Sequence, residues 1–305
     1  MQIAAIFPGQ GSQIVGMGEA LSEQFPEARD LFRAADHALG FALSELCFKG
    51  PLERLTLTEF AQPAILAASY ASYVLLGKKP QLAAGHSLGE YTALVAAGAL
   101  DFQEALLLVH KRGRYMQEAV RPGAGKMVAV LGVDDALVEQ VIAETSSGIK
   151  EIANLNCPGQ VVVAGDVTGV DAFVQQITNQ QGAKVIPLNV SAPFHCSLMK
   201  PAAEKLAKDL DATTFNDPEF PIYANVSAEP VTSGTVARDL LKRQVCASVR
   251  WTESVENMVS LGGITHTIEF GPGGVLSKLV KRINKDLKRF EVYDPETLET
   301  TRAAL

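Results

Sequence analysis

Gly85-His86-Ser87-Leu88-Gly89 is a G-x-S-x-G pentapeptide set between a short apolar run at 81–84 and an apolar helical stretch at 91–97. Such a strand-turn-helix setting presents a serine hydroxyl at the tip of a turn so tight that side chains larger than glycine would strike neighbouring backbone. The chemistry it suits is attack on an acyl carbon by Ser87, and a serine nucleophile needs a base. Five histidines are candidates: His37, His86, His110, His195 and His266. His37 and His110 lie inside helical patterns, His266 lies in an apolar strand, and His86, adjacent across the elbow, is expected to point elsewhere. His195 closes the loop Ser191-Ala192-Pro193-Phe194-His195 at an expected domain junction, where reactive side chains tend to be presented, and is the favoured base. A developing oxyanion needs backbone N–H donors. Leu88, after the serine, is one, and Gln10 in the turn Pro8-Gly9-Gln10-Gly11-Ser12 is the candidate for the second. That turn is no dinucleotide fingerprint, because Ile14 stands where a third glycine is required.

The most informative cation is Arg112. On the helix expected from Asp101, its same-face neighbours are Leu108, Tyr115, Met116 and Ala119, none of them acidic. Arg114 instead shares a face with His110, Lys111, Gln117 and Glu118, which reads as solvated. A guanidinium on an apolar face is costly unless something pairs with it, and a substrate carboxylate matches its two-pronged donors. The sequence leaves open a second reading, an Asp or Glu brought to Arg112 by the fold. Gly113 beside it would let another helix approach closely. After Gly271-Pro272-Gly273-Gly274, the residues Lys278, Lys281, Arg282, Lys285 and Lys288 recur at helical spacing. They form an expected basic stripe, either a solvated face or a docking surface for an acidic partner.

The elements that must position these groups alternate as α/β. A buried-type strand at 3–7 is followed by amphipathic helices, the strand at 81–84, and helices from Leu88 and from Asp101. Asp101 is an expected N-cap with Glu104 three residues on, and that helix ends near Val120. From Lys126 the order becomes strand (127–131), helix (134–145), two strands (149–154 and 161–164), helix (170–181) and strand (184–187), a βαββαβ ferredoxin-like unit. Pro-Gly-Ala-Gly at 122–125 and Ser-Ala-Pro at 191–193 bracket it. A helix from Lys200, a strand at 222–226, a helix at 236–245, a strand at 265–270 and a helix after Gly273 follow. The expectation is a large α/β domain made of 1–122 and 193–305, with a small domain, 123–192, inserted into it.

Composition narrows the function classes. The 305 residues carry 27 Lys+Arg against 34 Asp+Glu, a net charge of −7, and are 47% hydrophobic, as in a globular protein. No Lys/Arg tract is interleaved with aromatics, which argues against a nucleic-acid binder. No apolar stretch approaches the roughly 18 residues of a bilayer span. The first residues lack a basic region and reach Pro8 after a short apolar run, so no secretion signal is expected. Cys47, Cys157, Cys196 and Cys246 lie far apart without a C-x-x-C pair, so neither a zinc site nor a disulfide framework is expected. A cytoplasmic protein is the expectation.

Together these residues resemble the bacterial malonyl-CoA:acyl carrier protein transacylases, acyltransferases of type II fatty acid synthesis, over nearly the whole chain. The resemblance rests on Phe7-Pro8-Gly9-Gln10-Gly11-Ser12-Gln13, Gly85-His86-Ser87-Leu88-Gly89-Glu90, Arg112-Gly113, Asn156-x-Pro-Gly-Gln160, Pro193-Phe194-His195 and Glu269-Phe270-Gly271-Pro272-Gly273. It implies a hydrolase-like large domain with a parallel sheet and a ferredoxin-like insertion. It implies Ser87 as nucleophile, His195 as its base oriented by a carbonyl, Gln10 and Leu88 as oxyanion hole, and Arg112 as ligand of the malonyl carboxylate. Gln244, Asn156 and Phe194 are implied near the substrate. The implied reaction is a ping-pong transfer from malonyl-CoA to the phosphopantetheine thiol of acyl carrier protein through a malonyl-serine ester, with no metal or redox cofactor. Phe194 stands where some members carry Ser, and its ring would crowd the α-methyl of methylmalonyl. Ser248, where Pro is common, and Ala164, where Ser is common, depart from the pattern. Two further readings share the elbow: an acyltransferase serving a polyketide synthase, and a serine esterase or thioesterase. The hydrolase would add a carboxylate between Ser and His in chain order, where Asp134, Asp135, Asp166 and Asp171 lie.

Overall fold

Among the described residues, eleven strands carry the architecture: β1 (Ile3–Phe7), β2 (Leu82–Gly85), β3 (Gly125–Leu131), β4 (Lys150–Cys157), β5 (Gln160–Asp166), β6 (Lys184–Pro187), β7 (Ile222–Tyr223), β8 (Pro230–Val231), β9 (Val249–Arg250), β10 (His266–Phe270) and β11 (Lys288–Val292). The computed structural model describes residues 1–190 and 192–305, so Ser191 of the expected hinge lies outside the described residues. One sheet has the order β11-β10-β1-β2-β7-β8 and is parallel except for β8. All five residues of β1 are buried, and they alternate between two cores: Ile3, Ala5 and Phe7 pack into one, Ala4 and Ile6 into the other. A parallel sheet covered on both faces has this signature, a continuous apolar run rather than a polar alternation.

The second sheet has the order β6-β3-β5-β4-β9. Each of its first four strands runs antiparallel to its neighbours among them and, with the helices Asp135–Glu144 and Val167–Ile177, they form the ferredoxin-like arrangement. The fifth strand comes from further along the chain: β9 pairs parallel to β4, and the Ser248 hydroxyl just before it donates to the Ile152 carbonyl. A proline at 248 would have no such donor.

Two helices place the arginine. The Asp101 carboxylate accepts from the N–H groups of Gln103 (2.9 Å) and Glu104 (3.0 Å) and starts the helix Phe102–Glu118, a cap that contributes about 1 kcal/mol. Against it lies the helix Thr58–Leu76, at such short range that a Cβ on Gly113 would stand 2.5 Å from the Thr58 carbonyl oxygen. The motif at 269–273 has a similar logic. The Glu269 carboxylate accepts from Leu276 N–H (3.1 Å) and Ser277 N–H (2.7 Å), capping the helix Val275–Ile283 after glycines at φ 121° and 97° reverse the chain.

The structure corrects the basic stripe. The helix ends at Ile283, where Asn284 turns extended and its side chain accepts from Asp286 N–H (2.9 Å). Lys278, Lys281 and Arg282 therefore share the helix, Lys285 lies in the turn, and Lys288 opens β11. The strand expected at 222–226 is also shorter, because beyond Tyr223 the chain swings Asn225 under the serine turn. Among the described residues no helix is long and apolar enough to cross a membrane, and no cluster of three or more His, Cys, Asp or Glu could hold a metal ion.

Candidate active site

β2 ends at Gly85 and the helix Gly89–Ala96 begins four residues later, so the chain reverses through Ser87 with φ at 52°. A non-glycine residue held there stores of order 1–3 kcal/mol of strain. The glycines are sterically required: a Cβ on Gly85 would lie 1.9 Å from Gly89 backbone, and one on Gly89 would lie 2.0 Å from the Phe7 carbonyl oxygen. Two buried amides clamp the turn. Asn225 Oδ1 accepts from Ser87 N–H (2.7 Å) and its Nδ2 donates to Gly85 O (2.7 Å), while Gln244 Nε2 donates to Ser87 O (2.9 Å).

The Ser87 hydroxyl donates to His195 Nε2 at 2.7 Å. The other ring nitrogen, Nδ1, faces the carbonyl oxygens of Gln244 (2.9 Å) and Ala247 (3.1 Å). Carbonyls only accept, so the ring proton sits on Nδ1 and the Nε2 lone pair points at the serine. Burial, followed by the Arg112 charge, pushes the imidazole down to about 3, which keeps it a neutral proton acceptor. The remaining histidines are engaged elsewhere. His86 Nε2 meets Asn156 Oδ1 (2.9 Å), His110 Nδ1 meets Glu59 O (2.8 Å), and His266 Nδ1 meets the Thr265 hydroxyl (2.7 Å); His37 lies on the helix Pro26–Leu39.

Arg112 is 1% exposed, and burial lowers its pKa from the usual arginine range. Its hydrogen bonds run to neutral oxygens: Nη1 to Gln62 Oε1 (2.8 Å), Nη2 to Gln244 Oε1 (3.1 Å) and Nη2 to Ser87 Oγ (3.1 Å). Three of the five donors of a guanidinium are thus committed, and among the described residues Nε has no partner. The acid that the sequence left open is present but held back. Glu90 lies one amide away, its Oε2 accepting from Gln244 Nε2 (2.8 Å).

Gln10, Leu88, Phe194 and Asn154 line the same cavity as Ser87, His195 and Arg112, with a volume of about 80 Å³. Gln10 is held by its side-chain amide on Thr58 Oγ1 (3.1 Å). Asn156 does not line the cavity but sits behind it on His86, whose ring packs on Trp251 with centroids 5.8 Å apart. Four contributors escaped the sequence reading: Gln62, Asn154, Asn225 and Glu90. Only Glu90 had a local signal, its place in Gly85-His86-Ser87-Leu88-Gly89-Glu90.

A serine paired with a neutral histidine beside a buried guanidinium, set on a parallel sheet, is an acyl-transfer site. Residues 5–294 match the family model described as acyl transferase domain. The chain is 48% identical over 304 residues to the malonyl CoA-acyl carrier protein transacylase of Bacillus subtilis (strain 168), covering 98% of this chain and 95% of that protein. It is 44% identical over 302 residues to the one from Escherichia coli (strain K12), covering 97% of each. The solved malonyl CoA-acyl carrier protein transacylase of Clostridium perfringens matches with a TM-score of 0.96 at 40% identity, over 100% of this chain and 97% of that one. A malonyl-transacylase solved in complex with a type II PKS acyl carrier protein matches with a TM-score of 0.96 at 42% identity, over 100% of both chains. The chain belongs to the malonyl CoA-acyl carrier protein transacylases of the acyl transferase family.

Proposed function

We propose that the chain is an acyl-carrier-protein S-malonyltransferase that carries malonyl from malonyl-CoA to the phosphopantetheine thiol of acyl carrier protein for fatty acid synthesis. The observation that carries this reading is Ser87 Oγ, 2.7 Å from a neutral His195 Nε2 and 3.1 Å from a guanidinium bonded only to neutral oxygens. His195 takes the hydroxyl proton as Ser87 Oγ attacks the thioester carbon. The N–H groups of Leu88 and Gln10 receive the oxyanion, at the positive end of the helix Gly89–Ala96. The tetrahedral adduct expels coenzyme A thiolate, which takes the proton from His195, and the carrier thiol then reverses these steps on the malonyl-serine ester. Exchange between two thioesters changes no oxidation state and is nearly isoenergetic, so the reaction calls on no metal or redox cofactor.

In this reading the free donors of Arg112 hold the malonyl carboxylate, and Gln244 fixes both Arg112 and the serine turn. Phe194 limits the α-carbon to an unbranched group, and Asn156 acts through His86. Residues 1–122 and 193–305 form the catalytic domain, and 123–192 the small domain that sends Asn154 into the cavity. A cytoplasmic setting accords with the four free cysteines. A polyketide carrier is the second reading of the acceptor, because one solved relative is complexed with such a protein. Against the hydrolase reading, His195 Nδ1 rests on two carbonyls. Asp166 accepts from Gly169 and Ile149 N–H, and Asp171 pairs with Lys126 at 2.5 Å.

Intact mass after mixing with malonyl-CoA should rise by one malonyl group, and Ser87→Ala should abolish the gain. Adding carrier protein should discharge the label as malonyl carrier; free malonate as the main product would overturn the transfer. For docking, the proposed basic face is Lys278, Lys281, Arg282 and Lys285. Arg282 also donates to Gln160 Oε1 and Pro158 O, both at 2.9 Å, so its loss would loosen the β4–β5 turn as well. Lys278→Glu with Lys281→Glu is the cleaner test. The KM for carrier protein should rise roughly tenfold at low salt with the KM for malonyl-CoA unmoved. An unmoved carrier KM would place docking elsewhere.

A further inference from the structure

Glu90 is 2% exposed on the helix Gly89–Ala96, and the acyl-transfer steps above do not use it. Its Oε2 accepts from Asn225 N–H (2.9 Å) and Gln244 Nε2 (2.8 Å), the two residues that clamp the serine turn. Gln244 Oε1 in turn accepts from Arg112 Nη2 at 3.1 Å. A single amide therefore separates a buried carboxylate from a buried guanidinium, and the two compensate each other without touching. We propose that Glu90 is a positioning residue that balances the Arg112 charge in the empty site and takes up a proton from solvent when a malonyl carboxylate engages that guanidinium.

The coupling between Glu90 and Arg112 is electrostatic, and its role in binding rests on the malonyl donor proposed above. One guanidinium cannot neutralise two carboxylates where Glu90 and Arg112 are both buried, and a like charge arriving nearby disfavours the ionised form of the group already there. Burial already holds the Glu90 carboxyl up at about 7, against the opposing pull of Asn225, Gln244 and Arg112. At pH 8 the empty site thus holds it mostly ionised and within reach of a modest further push. Arg112 supplies the opposing charge from the helix Phe102–Glu118, and Tyr91, beside Glu90 on the helix Gly89–Ala96, is a phenol that burial holds up at about 12. Around them the chain presents uncharged groups. Gln244 comes from the helix Gly234–Gln244, Asn225 follows β7, and β1 and β2 contain no ionisable residue. The helix Thr58–Leu76 contributes Gln62 to the same guanidinium, while its Tyr70 stacks on Phe102 and its Tyr73 meets Phe270 edge to face. The proton balance is simple: one carboxylate plus one solvent proton gives one carboxylic acid, and no covalent bond to the substrate forms.

The test is calorimetric titration of malonyl-CoA into the Ser87→Ala enzyme at pH 8, repeated in buffers of different ionisation enthalpy to count protons. If the arriving carboxylate raises Glu90 by one to two pH units, the enzyme takes up about 0.4 to 0.8 of a proton per site. Adding Glu90→Gln, which keeps a side-chain acceptor for Asn225 and Gln244, should abolish that uptake while malonyl-CoA still binds. Equal uptake with and without Glu90→Gln overturns the proposal and leaves the transferase reading intact. Failure of malonyl-CoA to bind the Ser87→Ala enzyme overturns both. If Glu90→Gln does not fold, infrared difference spectra of the Ser87→Ala enzyme decide, using donor whose malonyl carboxyl carbon is isotopically shifted. A carboxylic-acid carbonyl band that malonyl-CoA raises and acetyl-CoA does not supports the proposal; its absence rejects it.

Discussion

Arg112→Ala should lower kcat/KM for malonyl-CoA by about 30-fold to a few thousand-fold, the 2–5 kcal/mol lost when one partner of a buried charge pair is removed. Acetyl-CoA should lose far less, roughly tenfold or under, because it has no carboxylate to strand. The two donors answer different questions. The guanidinium also donates to Ser87 Oγ at 3.1 Å, so its removal touches the nucleophile for any acyl group. The excess loss with malonyl isolates the carboxylate contact. Arg112→Lys should not restore malonyl selectivity, since one ammonium cannot reproduce the planar fork that reaches Gln62, Gln244 and Ser87 together. Equal losses with malonyl-CoA and acetyl-CoA would mean that Arg112 holds the site in shape and does not choose the acyl group.

The legible parts of this protein were those whose cause is local. β1 reads as a buried parallel strand because all five residues are apolar, and β3 to β6 read as βαββαβ because the period switches between two and 3.6 residues. The two-residue strands β8 and β9 carry no period to read. Lys288, the first residue of β11, reads into the helical stripe because lysines and arginines continue at helical spacing past Asn284, and spacing cannot reveal that an asparagine side chain will stop the helix by accepting from Asp286 N–H. The elbow was legible because Gly85 and Gly89 meet backbone within 2.0 Å, a demand that only glycine meets. The acid-free face of Arg112 was legible too, yet its partners were not. Gln62 and Gln244 reach it from other helices, and Asn225 enters from the end of a strand cut short to deliver it. Side chains brought together from distant segments leave no spacing in the chain.

His195→Ala should slow malonylation of Ser87 by about 10² to 10⁴, the usual contribution of a positioned general base, with the Leu88 and Gln10 donors and the helix terminus supporting the remainder. The pH profile provides a sharper check than the size of the loss. Burial and the Arg112 charge push the imidazole down to about 3 in the empty enzyme. The base form of a histidine is the neutral one, so base function is lost only as pH falls through that lowered value. At pH 5.5 a histidine of ordinary pKa, about 6.5, would be about nine-tenths protonated, whereas His195 remains neutral. The kcat/KM for malonyl-CoA, which reports the free enzyme, should therefore stay within about threefold between pH 7 and 5.5. Stability follows the same sign. The unfolded chain protonates this histidine near 6.5 and the folded one does not, so the contribution of His195 is complete above that pH and fades as pH falls from there toward 3. An acid limb centred near 6.5 in the malonylation rate, on protein shown still folded, would mean that the ring beside Ser87 is solvated and not shielded by the Gln244 and Ala247 carbonyls. The low-pH behaviour of the ester-forming step thus reports directly on whether burial, and not a carboxylate partner, sets the base.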